Sequence, residues 1–165
     1  MLSDRPICAR AGFQSPALAA KLAPRQRPAE EITAVREFSL SVRVYYEDTD
    51  VGGIVYHANY LKYMERARTD WLRALGFEQS RLRDTLGIVF AVRGMGIEFR
   101  RPARFDDMLQ VQARLAEAKR ASLRFAQSIH RGGERLLDAE VRIACLDART
   151  LRPRALPAPL LAALN

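Results

Sequence analysis

Asp48 and Asp50 stand two residues apart, Gly52-Gly53 follows, and Ile54-Val55-Tyr56-His57 then runs into a long amphipathic stretch. In extended backbone, residues i and i+2 share a face, so the two carboxylates would project together. Paired carboxylates can do acid–base chemistry or hold a hard cation. Aspartates before a glycine pair also cap turns with their side chains, and on spacing alone that is the commoner use. His57 could cap, bind a metal or stabilise an anion. The other histidine, His130, belongs to a distant segment, so no metal site is expected. What remains is a property of the backbone. The first amides of a helix opening near residues 57–60 have no helical acceptors and carry the positive end of the dipole. A carbonyl oxygen placed there would be polarised beside a carboxylate, provided the glycines let the chain approach closely.

The flanking sequence supplies elements able to hold that segment. Leu40, Val42, Val44 and Tyr46 alternate with Ser39, Ser41, Arg43 and Tyr45, the period of a half-buried strand. Tyr60, Met64, Ala67, Trp71 and Leu75 recur at helical spacing, with His57 or Asn59 near the N-cap and Gly76 where a helix would end. Such a helix has about 18 residues and is about 27 Å long. A short second helix is predicted over residues 79–85, stopped by Gly87. Residues 88–99 are apolar on both faces and interrupted by Gly94 and Gly96, which predicts a buried, bent strand. Three further alternating sets follow, carried by Leu109 to Leu115, Leu123 to Ile129 and Leu137 to Cys145, with a hairpin turn at Arg131-Gly132-Gly133-Glu134. One strand, one long helix and four meandering strands predict an α+β domain in which an antiparallel sheet curls around a central helix.

Composition narrows the function classes. Residues 1–38, with Pro6, Pro16, Pro24 and Pro28 and no sustained periodicity, read as a disordered N-terminal extension, and residues 39–165 as the folded domain. No apolar run reaches the roughly 18 residues of a transmembrane helix. Two cysteines, Cys8 and Cys145, suggest neither a disulfide framework nor a metal cluster and fit a reducing, cytoplasmic setting. The net charge is +8, of which the first 38 residues contribute +2 and the domain the remaining +6. A basic domain attracts polyanions or phosphate-rich ligands, although a solvated Arg-rich surface explains the charge equally well. Nothing beyond net charge argues for nucleic acid. No P-loop, dinucleotide fingerprint or Gly-x-Ser-x-Gly elbow is present. Lys119-Arg120 followed by Ser122 could clamp a phosphate, though alone such a pair is more often a solvated turn.

Residues 44–57, Val44-Tyr45-Tyr46-Glu47-Asp48-Thr49-Asp50-Val51-Gly52-Gly53-Ile54-Val55-Tyr56-His57, together with Tyr60 and Glu65-Arg66-Ala67-Arg68-Thr69, closely resemble the signature of Tol-Pal-associated acyl-CoA thioesterases. These belong to the 4-hydroxybenzoyl-CoA thioesterase branch of the hotdog superfamily. Pro102-Ala103-Arg104-Phe105-Asp106-Asp107-Met108-Leu109 and Pro153-Arg154-Ala155-Leu156-Pro157 match as well, so the resemblance spans about residues 40–160. It implies a hotdog fold, a five-stranded antiparallel sheet wrapped around one long helix. Subunits would join edge to edge as homodimers that can pair into homotetramers, with active sites at the interface. It also implies hydrolysis of short- to medium-chain acyl-CoA to free acid and CoA in lipid metabolism, without a cofactor. Asp50 would attack the thioester carbonyl or activate water. The amide of His57 would polarise the thioester oxygen, and its side chain would position or act as an acid. Gly53 and Tyr56 would border the substrate. Lys119, Arg120 and Ser122 fall where relatives contact the CoA phosphates, with Ala121 at the third basic position of that cluster. The competing expectations are an acyl-carrier-protein thioesterase and a largely non-catalytic binding module of lipid-synthesis or envelope machinery.

Overall fold

The computed structural model describes residues 37–164. The elements are β1 (Glu37–Arg43), a 3-10 turn (Tyr46–Asp48), α1 (His57–Ala74), α2 (Gln79–Leu86), β2 (Ile88–Phe99), β3 (Met108–Lys119), β4 (Ser122–Arg131), β5 (Glu134–Asp147) and α3 (Ala158–Leu164). The expected disordered extension lies outside the described residues except for its last two, Glu37 and Phe38, which open β1. The five strands form one antiparallel sheet in the order β1-β3-β4-β5-β2. With α1 packed on β1 and β3, this is the α+β arrangement the periodicity predicts and the hotdog fold the resemblance implies.

The apolar stripe of α1 does what its spacing requires. Tyr60, Met64, Ala67 and Trp71 are buried, and Tyr63 and Leu72 widen the stripe. The N-terminal half of the helix packs on Val42, Val44, Leu109, Val111 and Ile129. The C-terminal half packs with Leu82, Phe125, Val141 and Leu160. Trp71 meets Phe125 edge-on with centroids 5.1 Å apart. Truncating a buried aromatic of this kind to alanine costs about 3–5 kcal/mol. The helix ends where Gly76 takes φ 87°, with the Phe77 N–H donating to the Leu72 carbonyl at 3.0 Å.

Two local expectations fail, each for a physical reason. Tyr46 was to continue the buried side of β1, but the chain leaves the sheet at Arg43 and coils into the 3-10 turn. Tyr46 is 77% exposed and stacks on Phe105 at 4.1 Å. Strand β2 was to be buried, yet Ile88 is its one buried residue. It is bent as expected, by a register shift between Val92 and Gly94. Its exposure follows from its place at the sheet edge, where β5 covers one side and no described strand covers the other. Val92 and Phe99 are consequently 51% and 50% exposed.

Candidate active site

The 3-10 turn separates the two carboxylates that extended backbone would have kept on one face. Asp48 points inward and is buried, its carboxylate accepting the Tyr45 N–H at 2.9 Å. Asp50, two residues on, is exposed. Its backbone sits at the neck of a tight loop: the Asp50 N–H donates to the Ile54 carbonyl and the Gly53 N–H to the Asp50 carbonyl, both at 3.0 Å. Its side-chain Oδ1 accepts the Gly52 N–H at 2.8 Å. The two glycines therefore have separate reasons. Gly53 turns the loop with φ 68°, where a side chain would be strained. A Cβ at Gly52 would stand 3.1 Å from Asp50 Oδ1, so only glycine leaves the carboxylate its place.

The loop is fastened to the helix entrance. Thr49 and Val55 form an isolated antiparallel bridge, and the Tyr56 N–H donates to the Asp48 carbonyl at 2.9 Å. Val55 also donates its N–H to the Ala103 carbonyl at 2.9 Å, while the Ala103 N–H donates to the Tyr60 hydroxyl at 2.8 Å. Burial pushes the Tyr60 phenol up, with the Ala103 bond opposing the shift. His57 is the first residue of α1, and the N-cap Tyr56 offers no side-chain cap. Among the described residues no backbone acceptor meets the His57 N–H, which carries the positive end of the helix dipole. The His57 ring is exposed and lies 4.3 Å from that of Tyr56.

Asp50 and His57 line one cleft of about 380 Å³ with Ile54, Val55, Tyr60, Phe99 and Pro102, and with Arg100 and Arg101, which are ion-paired to Asp138 and Glu98 and to Glu134 respectively. Phe99 and Tyr60 meet edge-on at 5.6 Å and give the cleft an apolar wall. A larger groove of about 580 Å³ between β1 and α1 holds Asp48 but not Asp50. Among the described residues no three His, Cys, Asp or Glu side chains are grouped so as to hold a metal ion.

An oxygen seated at the His57 amide and a carboxylate lining the same cleft are what acyl transfer needs: an oxyanion donor and a nucleophile or base. Residues 44–164 match the family model of the thioesterase-like superfamily. The chain belongs to that superfamily. The acyl-CoA thioesterase YbgC of Haemophilus influenzae is 43% identical over 128 residues, which cover 78% of this chain and 94% of the relative. The acyl-CoA thioester hydrolase YbgC of Escherichia coli is 46% identical over 126 residues, covering 76% and 93%. A solved probable thioesterase from Bartonella henselae superposes with a TM-score of 0.71 at 38% identity, over 73% of this chain and 99% of that one.

Within this thioesterase-like fold the predicted residues divide. Asp50 and His57 share the cleft, and Gly53 and Tyr56 flank them in the loop and at the N-cap. Lys119, Arg120 and Ser122 are not brought there by the same chain. They form the β3–β4 hairpin, where Lys119 pairs with Glu117 at 3.4 Å and the Arg120 carbonyl accepts the Leu156 N–H at 2.8 Å. The cleft lies beside the other end of β3, where Asp106 and Asp107 are hydrogen-bonded to Val44. In the strand register Phe99 of the cleft is level with Leu137 and Ser122 of the hairpin with Ala144, so the two lie roughly 20 Å or more apart along β5. Sequence reading missed Phe99, Arg100, Arg101 and Pro102 as cleft residues, and it assigned Tyr60 only to the core. The available signal was the Pro102-Ala103 segment, whose match carried no stated role.

Proposed function

We propose that this protein hydrolyses the thioester of short- to medium-chain acyl-CoA to the free acid and CoA, with Asp50 as the reacting carboxylate. The observation that carries the reading is the shared cleft of Asp50 and the acceptor-free His57 amide at the start of α1. The thioester oxygen sits at the helix entrance, where one preorganised donor lowers the barrier by about 3–4 kcal/mol. Asp50 then acts by one of two routes. It attacks the carbonyl carbon and expels the CoA thiolate, leaving a mixed anhydride that water opens. Alternatively it takes a proton from a water whose oxygen attacks, and the thiolate departs as the acid forms. The His57 ring, at the cleft, positions the substrate or protonates the departing sulfur.

The active unit in this reading is a cytoplasmic homodimer or homotetramer. The free edge of β2, with Val92 and Phe99 exposed, supports pairing with a second copy. The distance between the cleft and Lys119, Arg120 and Ser122 supports their binding CoA phosphates in a partner's site. The pattern of residues 44–57 supports membership of the Tol-Pal-associated, 4-hydroxybenzoyl-CoA thioesterase-like group. Purified protein is expected to release free CoA from a panel of acyl-CoAs. Asp50→Asn should lower kcat about 10³-fold or more, roughly 4 kcal/mol of barrier, with the fold intact. Unchanged turnover in that variant would remove Asp50 from the reaction. Faster release from matched carrier-protein thioesters than from acyl-CoA would transfer the substrate handle to the carrier protein.

A further inference from the structure

Asn59 has a geometry the reaction needs and the mechanism above does not use. It is the third residue of α1 and is buried. Asparagine is a poor helix residue, because its amide competes with the backbone for hydrogen bonds, and burying that amide costs free energy unless it finds partners. Here the side chain leaves the helix altogether: Asn59 Nδ2 donates to the Asp48 carbonyl oxygen at 2.8 Å. The Tyr56 N–H donates to the same oxygen at 2.9 Å. Two donors fill that carbonyl's two lone pairs and fix the root of the Asp50 loop to the first helical turn. Only Thr49 lies between this root and Asp50, and Thr49 is itself held in the bridge to Val55.

We propose that Asn59 is a positioning residue for thioester hydrolysis, holding the Asp50 carboxylate in register with the His57 amide. This rests on the reading of Asp50 as the reacting carboxylate. Asn59 touches neither substrate nor the reacting atoms. It acts through the Asp48 carbonyl, so its loss leaves the loop root tied by the Tyr56 N–H and the Thr49–Val55 bridge alone, with more room to shift relative to the first helical turn. Misplacing a catalytic group by about 1 Å costs on the order of 10²-fold in rate.

The test measures Asn59→Ala, Asn59→Ser and Asn59→Asp beside Asp50→Asn, by steady-state kinetics on an acyl-CoA, thermal melting and amide NMR. Asn59→Ala is expected to lower kcat roughly 10- to 100-fold with KM changed less than about twofold. Asn59→Ser keeps a hydroxyl donor and recovers part of the loss. Asn59→Asp keeps the shape, loses the donor and faces the carbonyl with charge, so it falls at or below the alanine variant. The Gly52 amide resonance reports its bond to Asp50 Oδ1, and it should move in Asn59→Ala while resonances of the core strands stay in place. Asp50→Asn with full activity would sink the reading of the site itself. An inactive Asp50→Asn beside an Asn59→Ala of wild-type kcat and unmoved Gly52 resonance would overturn the positioning role alone. So would a loss of activity that only tracks the unfolded fraction. If Asn59→Ala fails to fold, equal kcat in the serine and aspartate variants overturns the proposal.

Discussion

Replacing Gly52 by alanine tests the carboxylate geometry more sharply than replacing Asp50 itself. The new methyl would stand 3.1 Å from Asp50 Oδ1 and 3.9 Å from the Ile54 side chain, and Gly52 is not among the glycines with positive φ. The backbone therefore accepts alanine, and the contact that must yield is the one with the carboxylate. Asp50 is exposed, so it relieves the contact by rotating away and breaks its bond from the Gly52 N–H. A hydrogen bond to a charged group is worth about 1.5–3 kcal/mol. If reaction requires the observed rotamer, returning to it regains that bond but meets the methyl, an overpacking cost of about 1–3 kcal/mol, and kcat falls roughly 10- to 100-fold. The melting temperature should barely move. Gly53→Ala is the matched control: φ is 68° there and no heavy atom lies within 4 Å of the added methyl. That change costs about 1–2 kcal/mol of stability through backbone strain. The readouts are CoA release on an acyl-CoA panel and thermal melting of both variants. A fully active Gly52→Ala would show that the observed Asp50 rotamer is not the reactive one.

Three further outcomes follow from the described geometry. Tyr60→Phe removes the acceptor of the Ala103 N–H and should destabilise the protein by about 1–3 kcal/mol in denaturant unfolding, because a buried donor is left unpaired. Burial first, and the neighbouring Asp48 carboxylate second, hold the Tyr63 phenol well above its usual value of 10.0. A group raised in the folded state contributes stability that is complete below the unfolded value and is lost as pH rises toward the folded one. Melting temperature should therefore decline above about pH 10, and Tyr63→Phe should flatten that decline. Val92→Asp places a charge on the outer edge of β2, and if the proposed dimer or tetramer pairs through that edge it should run as a monomer in size-exclusion chromatography with light scattering. An unchanged mass would remove β2 from the interface.

Much of the fold was legible because periodicity reports which side of an element is covered. The stripe from Tyr60 to Trp71 and the alternation of β3, β4 and β5 each answer to one buried face. Tyr46 broke the rule because alternation cannot register where a chain leaves its sheet. Strand β2 broke it because apolar residues on both faces mark what needs covering, not what one chain covers. In the site, the family resemblance singled out Asp50 and the helix-start argument the His57 amide, and both residues line one cleft. The far wall of the cleft comes from residues 99–102, some forty residues later in sequence. Long-range pairing of Val55 and Tyr60 with Ala103 brings that segment in, and no local pattern encodes it.

The Asp-x-Asp spacing itself acquires a different meaning once the 3-10 turn is in view. Two carboxylates on one face would repel, and each would alter the other's affinity for protons. Turning Asp48 inward gives it the Tyr45 N–H and leaves its carbonyl to the Tyr56 amide and Asn59, so its work is to hold the loop. The Asp50 carboxylate is left outside with the Gly52 N–H as its one side-chain hydrogen bond among the described residues, on the cleft it shares with His57. Exchanging the two roles would require unfolding the turn, because the Asp48 carbonyl is bonded to the helix from the first turn onward.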